Sequence, residues 1–298
     1  MSRLPRVVVV TRPTEFELLV AEHGTVAQAE FFVAIRGRDL TDLERRHECL
    51  VAARGEVMRA IPREWRRGVA RRADLDRFLF EADDVVVAVG QDGLVANVAR
   101  YLTGQPVIGV NPDPSSYEGV LALATPADAA GLIRLAAAGR ADVEERVMVQ
   151  ASLDDGSRLV ALNEVFVGHR THQSARYRLR VAGAEVRQIS SGMIVATGTG
   201  ATGWARSISR ERGGGLTLPA PAEEGLAYFV RECFPASGGD SGLTEGRLDG
   251  TEGLTVWSEM ESGGTVFGDG IESDAVPFDW GRRVEITAGP DRLHLVRP

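Results

Sequence analysis

Residues 84–97 read Asp84-Val85-Val86-Val87-Ala88-Val89-Gly90-Gln91-Asp92-Gly93-Leu94-Val95-Ala96-Asn97. The β-branched run Val85 to Val89 has the composition of a strand buried on both faces, as the strands of parallel sheets are. It stops at Gly90, and residues compatible with a helix begin after Gly93. Strand, glycine turn and helix together turn backbone N–H groups and a helix N-terminus toward phosphate. Gln91 and Asp92 are the only polar side chains in this turn, and an Asp here sits where general-base or metal chemistry occurs. An ordinary strand-to-helix connection with an Asp cap has the same local pattern. The rest of the chain decides between them.

The chain has 298 residues, of which 44% are hydrophobic and 26% charged, the composition of a soluble globular protein with room for two domains. No apolar run approaches the roughly 20 residues of a membrane span. Met1 to Arg6 leads straight into Val7–Val10, which reads as a first strand and not as a signal peptide. Cys49 and Cys233 are too few and too far apart for a disulfide framework or a zinc site, so a cytoplasmic location is expected. A formal net charge of −8 argues against nucleic-acid binding. All 34 basic residues are Arg, since the sequence contains no Lys. That excludes a phosphate-binding P-loop lysine, a Schiff base and a cofactor aldimine. Phosphate chemistry in this chain must use Arg, backbone amides and metal. His23, His47, His169, His172 and His294 form no metal-binding pattern.

In chain order, Arg6–Thr11 is a strand that ends at Arg12, residues 16–32 are loop and short helix, and the spacing of Leu40, Leu43, His47, Leu50 and Val51 is helical. Residues 56–61 read as a second strand closed by Pro62. The Arg-rich segment from Arg63 to Arg77 reads as a solvated helix face. After the central stretch, a helix runs through Tyr101. Residues 105–110 form another buried strand, ending in Asn111-Pro112-Asp113-Pro114. Two neighbouring strands with polar turns at their carboxyl ends make the crevice in which open α/β sheets bind ligands. Residues 126–138 read as a helix.

Beyond it the pattern alternates. Strands are expected at 146–151, 159–167, 177–181, 185–189, 254–260, 265–268, 284–287 and 293–296, with a hairpin turn at Asp154-Asp155-Gly156-Ser157. Residues 190–208 interrupt them as strand, Gly/Thr turn and short helix. Residues 213–221 and 237–253 read as loops. The fold class is therefore α/β: an N-terminal Rossmann-like domain over 1–125 and a β-rich, sandwich-like domain over 126–298.

Six segments, in order, resemble the NAD kinases, and most closely the mitochondrial-type branch. They are VVVVTRPTEFE (7–17), the strand, GQDG turn and helix of 85–97, PVIGVNPDPSSYEG (106–119), EERVMVQ (144–150), ALNEVFVG (161–168) and SSGMIVATGTGATGWARSI (190–208), with a weaker match at FGDG (267–270). The resemblance implies the NAD kinase and diacylglycerol kinase-like fold, and transfer of the ATP γ-phosphoryl group to the 2′-hydroxyl of the adenosine ribose of NAD. It implies Mg²⁺, small nucleotides as partners and a homodimer, while charge and hydropathy lead to no expected nucleic-acid or membrane partner.

By the same resemblance Asp92 is the base or orienting carboxylate. Arg12, Gly90, Gln91, Gly93 and Asn111 would line the phosphate side. Asn163 and Glu164 would hold the dinucleotide, and Thr197, Thr199, Gly200, Thr202 and Trp204 would line its pocket. No residue is assigned as a dedicated metal ligand. Gln91 departs from the family, which has Gly there. Its Cβ implies either a changed backbone, a changed donor preference or impaired transfer. A dinucleotide-binding protein without turnover, or a related kinase acting on a sugar, nucleoside or lipid, are the alternatives.

Overall fold

Val7–Val10 and Val85–Val89, every one of them essentially inaccessible to solvent, lie side by side as parallel strands. In the computed structural model, which describes residues 4–234, 242–250 and 252–298, contacts divide the chain into two units. The first comprises Met1–Glu144 with His294–Pro298, and the second Glu145–Leu293.

The first unit is built from β1 (Arg6–Thr11), α1 (Glu15–His23), α2 (Val26–Ala34), α3 (Thr41–Ala60), β2 (Arg66–Arg71), β3 (Asp84–Val89), α4 (Asp92–Ala99), β4 (Pro106–Val110) and α5 (Ala129–Ala137). Its sheet is parallel in the order β2-β1-β3-β4, and the chain's last strand closes it by pairing His294 and Leu295 with Pro106 and Val107. Ala53, Val57 and Ile61 from α3 and its end, and Leu132, Ile133 and Ala136 of α5, pack with Val7, Val9, Val85, Val87 and Ile108. The alternate residues Val8, Val10, Val86 and Ala88 are equally buried, and α4 contacts β1, β3 and β4. Both faces are therefore covered, which accounts for the unbroken apolar runs.

Three local expectations are corrected. Residues 56–60 complete the helix α3 instead of forming a strand, because Leu43, Ala53, Val57 and Ile61 continue one buried stripe at helical spacing. The Arg-rich segment holds the edge strand β2, whose alternating exposure keeps Arg67 and Arg71 outward while Ala70 is buried. Residues 15–34 form two helices, the first opened by a capping box between Thr14 and Glu17. The division of the chain falls after Glu144 and not at residue 125, since α5 belongs to the first unit's core.

The second unit carries β5 (Val143–Leu153), β6 (Arg158–Ala161), β7 (Glu164–His169), β8 (Ala175–Val181), β9 (Ala184–Ser190), β10 (Met193–Thr197), α6 (Trp204–Glu211), β11 (Gly225–Val230), β12 (Glu245–Asp249), β13 (Gly253–Ser258), β14 (Gly264–Gly268), β15 (Val276–Pro277) and β16 (Arg283–Val296). One antiparallel layer runs β16-β13-β8-β9, with β5 beside β16 and β6 beside β5. The other runs β12-β11-β10-β7-β14-β15. Their inner residues, among them Tyr177, Leu179, Val256 and Ile286 facing Val165, Val195, Tyr228 and Val266, form one apolar core. This is the sandwich the alternation implied. α6 covers the outer face of the second layer through Ala205, against Phe166, Ile194 and Phe229. The expected strand over 159–167 is broken at Leu162 and Asn163, and the two closing strands are one long strand, β16. Of the expected loop over 237–253, residues 245–249 form β12, while 237–241 and 251 lie outside the described residues.

Candidate active site

In the first unit the connection after β1 leads to β2 on one side, and β3 pairs on the other side of β1. The carboxyl ends of β1 and β3 thus flank the topological switch point, where open α/β sheets bind ligands. Arg12 follows the first of these strands, and Gly90 to Gly93 follow the second. Gly90 has φ +157°, a conformation L side chains rarely adopt, and a Cβ on it would press on Leu94 at 3.3 Å. Gln91 caps α4 with φ −80° and ψ 165°, ordinary extended backbone, so the side chain at this position imposes no strain. Its Oε1 accepts a 2.7 Å hydrogen bond from Arg12 Nη2. Gly93, in the first turn of α4, has open space where a Cβ would stand.

Asp92 reaches across to the loop after β4. Oδ1 accepts from Leu121 N at 2.9 Å and Ala122 N at 2.8 Å, and Oδ2 accepts from Val120 N at 2.8 Å. A carboxylate offers about four lone-pair positions. Three are filled by backbone, and the fourth is on Oδ2. The loop itself is organised by Asn111, whose Nδ2 donates to Tyr117 O and whose Oδ1 accepts from Asp113 N, both at 3.0 Å. Asn111 is 4% exposed, and both ends of its amide hold backbone. Asp113 accepts from the hydroxyls of Ser115 and Ser116 and from Arg45, which hold it well below the usual carboxylate range. Tyr117 was not foreseen. Its hydroxyl is buried with no partner among the described residues, and burial, followed by the Asp92 charge, pushes its pKa up to about 12 against the opposing pull of Arg12.

In the second unit the break between β6 and β7 is held from both sides. Asp269 accepts from Leu162 N at 2.9 Å and Asn163 N at 2.6 Å, and its own N–H donates to Glu164 O at 3.0 Å. Asn163 O accepts from Thr197 N at 2.9 Å. The backbone of Asn163 and Glu164 is thereby fixed while their side chains make no hydrogen bond to the described residues. Asp269 takes φ +52°, a left-handed conformation that Asp tolerates better than most residues. It too was missed as a site residue, although the glycines flanking it in Gly268-Asp269-Gly270 signal a special turn.

The Gly/Thr turn divides by role. Thr197 Oγ1 donates to Leu162 O at 2.5 Å and accepts from Thr199 N at 3.1 Å and Gly200 N at 3.2 Å, so it ties the turn together. Thr202 Oγ1 donates to Thr199 O at 2.8 Å. Gly200 lets the turn approach Asn163, whose carbonyl oxygen would lie 2.1 Å from any Cβ there. Thr199, 2% exposed, is the threonine of the turn whose hydroxyl has no partner among the described residues. The Trp204 ring stacks near Phe166 with centroids 6.3 Å apart and lies under the Arg231 guanidinium at 5.0 Å. The ring is nevertheless 36% exposed.

Burial, and then the Asp269 charge, push the Glu164 carboxyl up to about 7 from 4.5. The folded state therefore holds this proton more tightly than the unfolded chain. The resulting stabilisation is complete below about pH 4.5 and is lost as the pH rises through about 7. Glu164→Gln keeps the neutral form at every pH. The melting-temperature gap between variant and wild type should be near zero below pH 4.5, open between 4.5 and 7, and level off above 7. A gap independent of pH would contradict this.

Three carboxylates that could meet at a cation, Glu81, Asp83 and Asp84, stand at the amino end of β3, away from the glycine turn. Arg6 binds Asp84 through two hydrogen bonds of 2.6 and 2.5 Å, and Arg66 binds Glu81 at 2.9 Å, so the cluster already has its counter-charges.

The candidate residues thus fall in two places: Arg12 and the Gly90 to Gly93 turn at the switch point of the first unit, and the clamped Asn163-Glu164 pair with its Gly/Thr turn in the second. No family model matches the chain. Among curated proteins, the Oryza sativa protein described as "Probable NADH kinase" is 31% identical over 243 residues, 72% of this chain and 71% of its own length. The Psychrobacter arcticus NAD kinase is 28% identical over 230 residues, 73% of this chain and 65% of that one. The human mitochondrial NAD kinase 2 is 27% identical over 285 residues, 74% of this chain and 64% of that one. The chain thus spans about two thirds of the length of these relatives. Of solved structures, an Archaeoglobus fulgidus NAD kinase in complex with ATP aligns with a TM-score of 0.59 at 21% identity, covering 98% of this chain and 93% of the other. Yeast NADH kinase complexed with NADH aligns at 0.60 and 14% identity, covering 100% and 84%. These establish the shared fold. On the rice relative's identity and coverage, the chain belongs to the NAD kinase family.

Proposed function

We propose that this chain transfers the γ-phosphoryl group of ATP to the 2′-hydroxyl of the adenosine ribose of NAD, giving NADP. Family membership supplies the reaction, and the observation that carries the catalytic assignment is the single lone-pair position left on Asp92 Oδ2. A ribose hydroxyl is a weak nucleophile and needs an oriented acceptor for its proton in the transition state. Asp92 cannot swing, because three backbone N–H groups fix it, so Oδ2 meets the hydroxyl with little reorganisation.

On the donor side, the absence of Lys leaves Arg12, the N–H groups at the start of α4 and the open space at Gly93 to face the triphosphate. On the dinucleotide side, the unengaged side chains of Asn163 and Glu164 and the unpartnered Thr199 hydroxyl are the groups able to contact ribose and pyrophosphate. Thr197, Gly200 and Thr202 set the turn that carries them, and Asn111 sets the loop that locks Asp92. Among the described residues, Asp92 is the carboxylate in the turn, and its open position goes to the ribose hydroxyl, so the turn adds no ligand to Mg²⁺. That fits an ion held mainly by ATP oxygens, which supplies charge neutralisation on the phosphates when bound.

We further assign a homodimeric assembly by analogy with the family, and a cytoplasmic location. In support of the latter, no helix of the described residues is long and apolar enough to cross a membrane. The ordinary φ of Gln91 removes a backbone reason for lost turnover. Incubation with ATP, Mg²⁺ and NAD, with NADH, a nucleoside, a sugar and diacylglycerol as parallel acceptors, tests the reading. NADP formation supports it; phosphorylation of another acceptor alone, or NAD binding without product, overturns it.

A further inference from the structure

The residue that separates this chain from its family's glycine turn makes a contact a glycine cannot make. Gln91 Oε1 receives Arg12 Nη2 at 2.7 Å, joining the carboxyl ends of β1 and β3 across the switch-point crevice. A guanidinium only donates, so it is the amide oxygen that faces it. Other arginines of the first unit are matched to acids: Arg6 to Asp84, Arg45 to Asp113, Arg66 to Glu81. Arg12 has no carboxylate partner among the described residues. Its charge is held in place by a neutral group and stays available, with most of its five donors uncommitted.

Arg12 also follows directly on a rigid strand whose neighbours Val10 and Thr11 are buried, so its backbone is fixed while its long side chain is not. A side chain of that length loses rotamer entropy when it is immobilised. A hydrogen bond already made before ligand arrives lowers that cost at the moment of binding.

We propose that Gln91 is a positioning residue for the phosphoryl donor: it pre-orients the Arg12 guanidinium over the start of α4, where it takes a phosphate oxygen of the incoming nucleoside triphosphate. The substitution of the family's glycine is thus compensated by a contact that replaces backbone closeness with an ordered cation. The inference rests on the kinase reading for the identity of the ligand, but its test is equilibrium binding and does not depend on turnover.

Calorimetric titration with Mg·ATP of the full-length wild type, Gln91→Ala, Arg12→Ala, the double variant and Gln91→Glu measures it, with thermal melts as folding controls. Gln91→Ala should weaken ATP binding roughly 3- to 10-fold, and Arg12→Ala more. In the double variant the Gln91 change should add nothing to the Arg12 change, because Gln91 acts through Arg12. Gln91→Glu keeps the contact and cancels the charge, so ATP should bind more weakly than to wild type although Arg12 stays ordered. NAD affinity should be unchanged in all four variants. Additive effects of the two alanine changes, or wild-type or tighter ATP binding by Gln91→Ala or Gln91→Glu, overturn the inference alone. Wild type that binds ATP and makes no NADP overturns the function and leaves the inference standing. Wild type that binds no ATP overturns both.

Discussion

Asp92→Asn is expected to lower the turnover number for NADP formation by ~10²- to 10⁴-fold, the range of a lost general base, with the Michaelis constants for NAD and ATP changed far less. The physical reason is specific to the way this carboxylate is held. Oδ1 is saturated by Leu121 N and Ala122 N, and Oδ2 keeps one position after Val120 N. Asparagine must place its NH₂ group at one of the two oxygen positions. Opposite Val120 N it repels the loop and removes the acceptor for the ribose proton. Opposite Leu121 and Ala122 it confronts two donors. A buried unsatisfied donor costs ~1–3 kcal/mol, so the urea midpoint should also fall. The distinguishing readout is the ratio of kcat to stability across Asp92→Asn and a loop variant such as Asn111→Ala. The loop change should destabilise the fold comparably, yet leave more of the turnover, because it keeps the carboxylate.

Asp269→Ala is the second large effect, and it falls on the dinucleotide. It leaves the N–H groups of Leu162 and Asn163 without their acceptor, at ~1–3 kcal/mol for each group that stays buried. It also places Ala at φ +52°, a left-handed conformation that Asp tolerates better than Ala does. With the Asn163–Glu164 backbone no longer clamped, the Michaelis constant for NAD should rise about tenfold or more, one factor of ten for each 1.4 kcal/mol of misplacement. That for ATP should hold. Asp269→Asn tolerates the backbone and keeps one acceptor, so it should be intermediate. The Glu164 carboxyl should titrate lower in both, since one of the two causes of its raised pKa is gone, although burial keeps it above 4.5. Equal effects on the NAD and ATP constants would show that Asp269 supports the unit generally and not this pair.

The strand, glycine turn and helix at 84–97 were legible because both of their signals are local: an unbroken β-branched run and a glycine whose φ excludes other residues. The strand preceding Asn111 and the alternating pairs at 177–181 and 185–189 were legible for the same kind of reason. What misled was context. β2 reads as a charged helix because an edge strand can leave Arg67 and Arg71 in water, whereas α3 reads as ending in a strand because Val57 and Ile61 are β-branched, although their spacing extends the stripe of Leu43 and Ala53. The Gly289-Pro290 pair splits β16 in the sequence but not in the structure.

The site shows the same division. The motifs proposed Asp92, Asn163, Glu164 and the Gly/Thr turn, but residue types do not say which lone pair is occupied. Only the structure separates Thr199, whose hydroxyl has no partner among the described residues, from Thr197, whose hydroxyl ties the turn. Asp269 was passed over because the backbone it holds, at Leu162 and Asn163, is more than a hundred residues away, and Tyr117 because its burial and the Asp92 charge that acts on it come from the tertiary fold. Gln91, read from sequence as a departure with a backbone cost, adopts ordinary backbone and finds Arg12.

The most direct test of the account is ³¹P nuclear magnetic resonance of the purified protein with ATP, Mg²⁺ and NAD, beside the Asp92→Asn protein under the same conditions. Wild type should convert the γ-phosphate signal of ATP into a phosphomonoester on the 2′-position of NAD, in step with ADP formation, and Asp92→Asn should do so at least about a hundredfold more slowly. ADP and free phosphate without the 2′-phosphomonoester, or the same rate from both proteins, would contradict it.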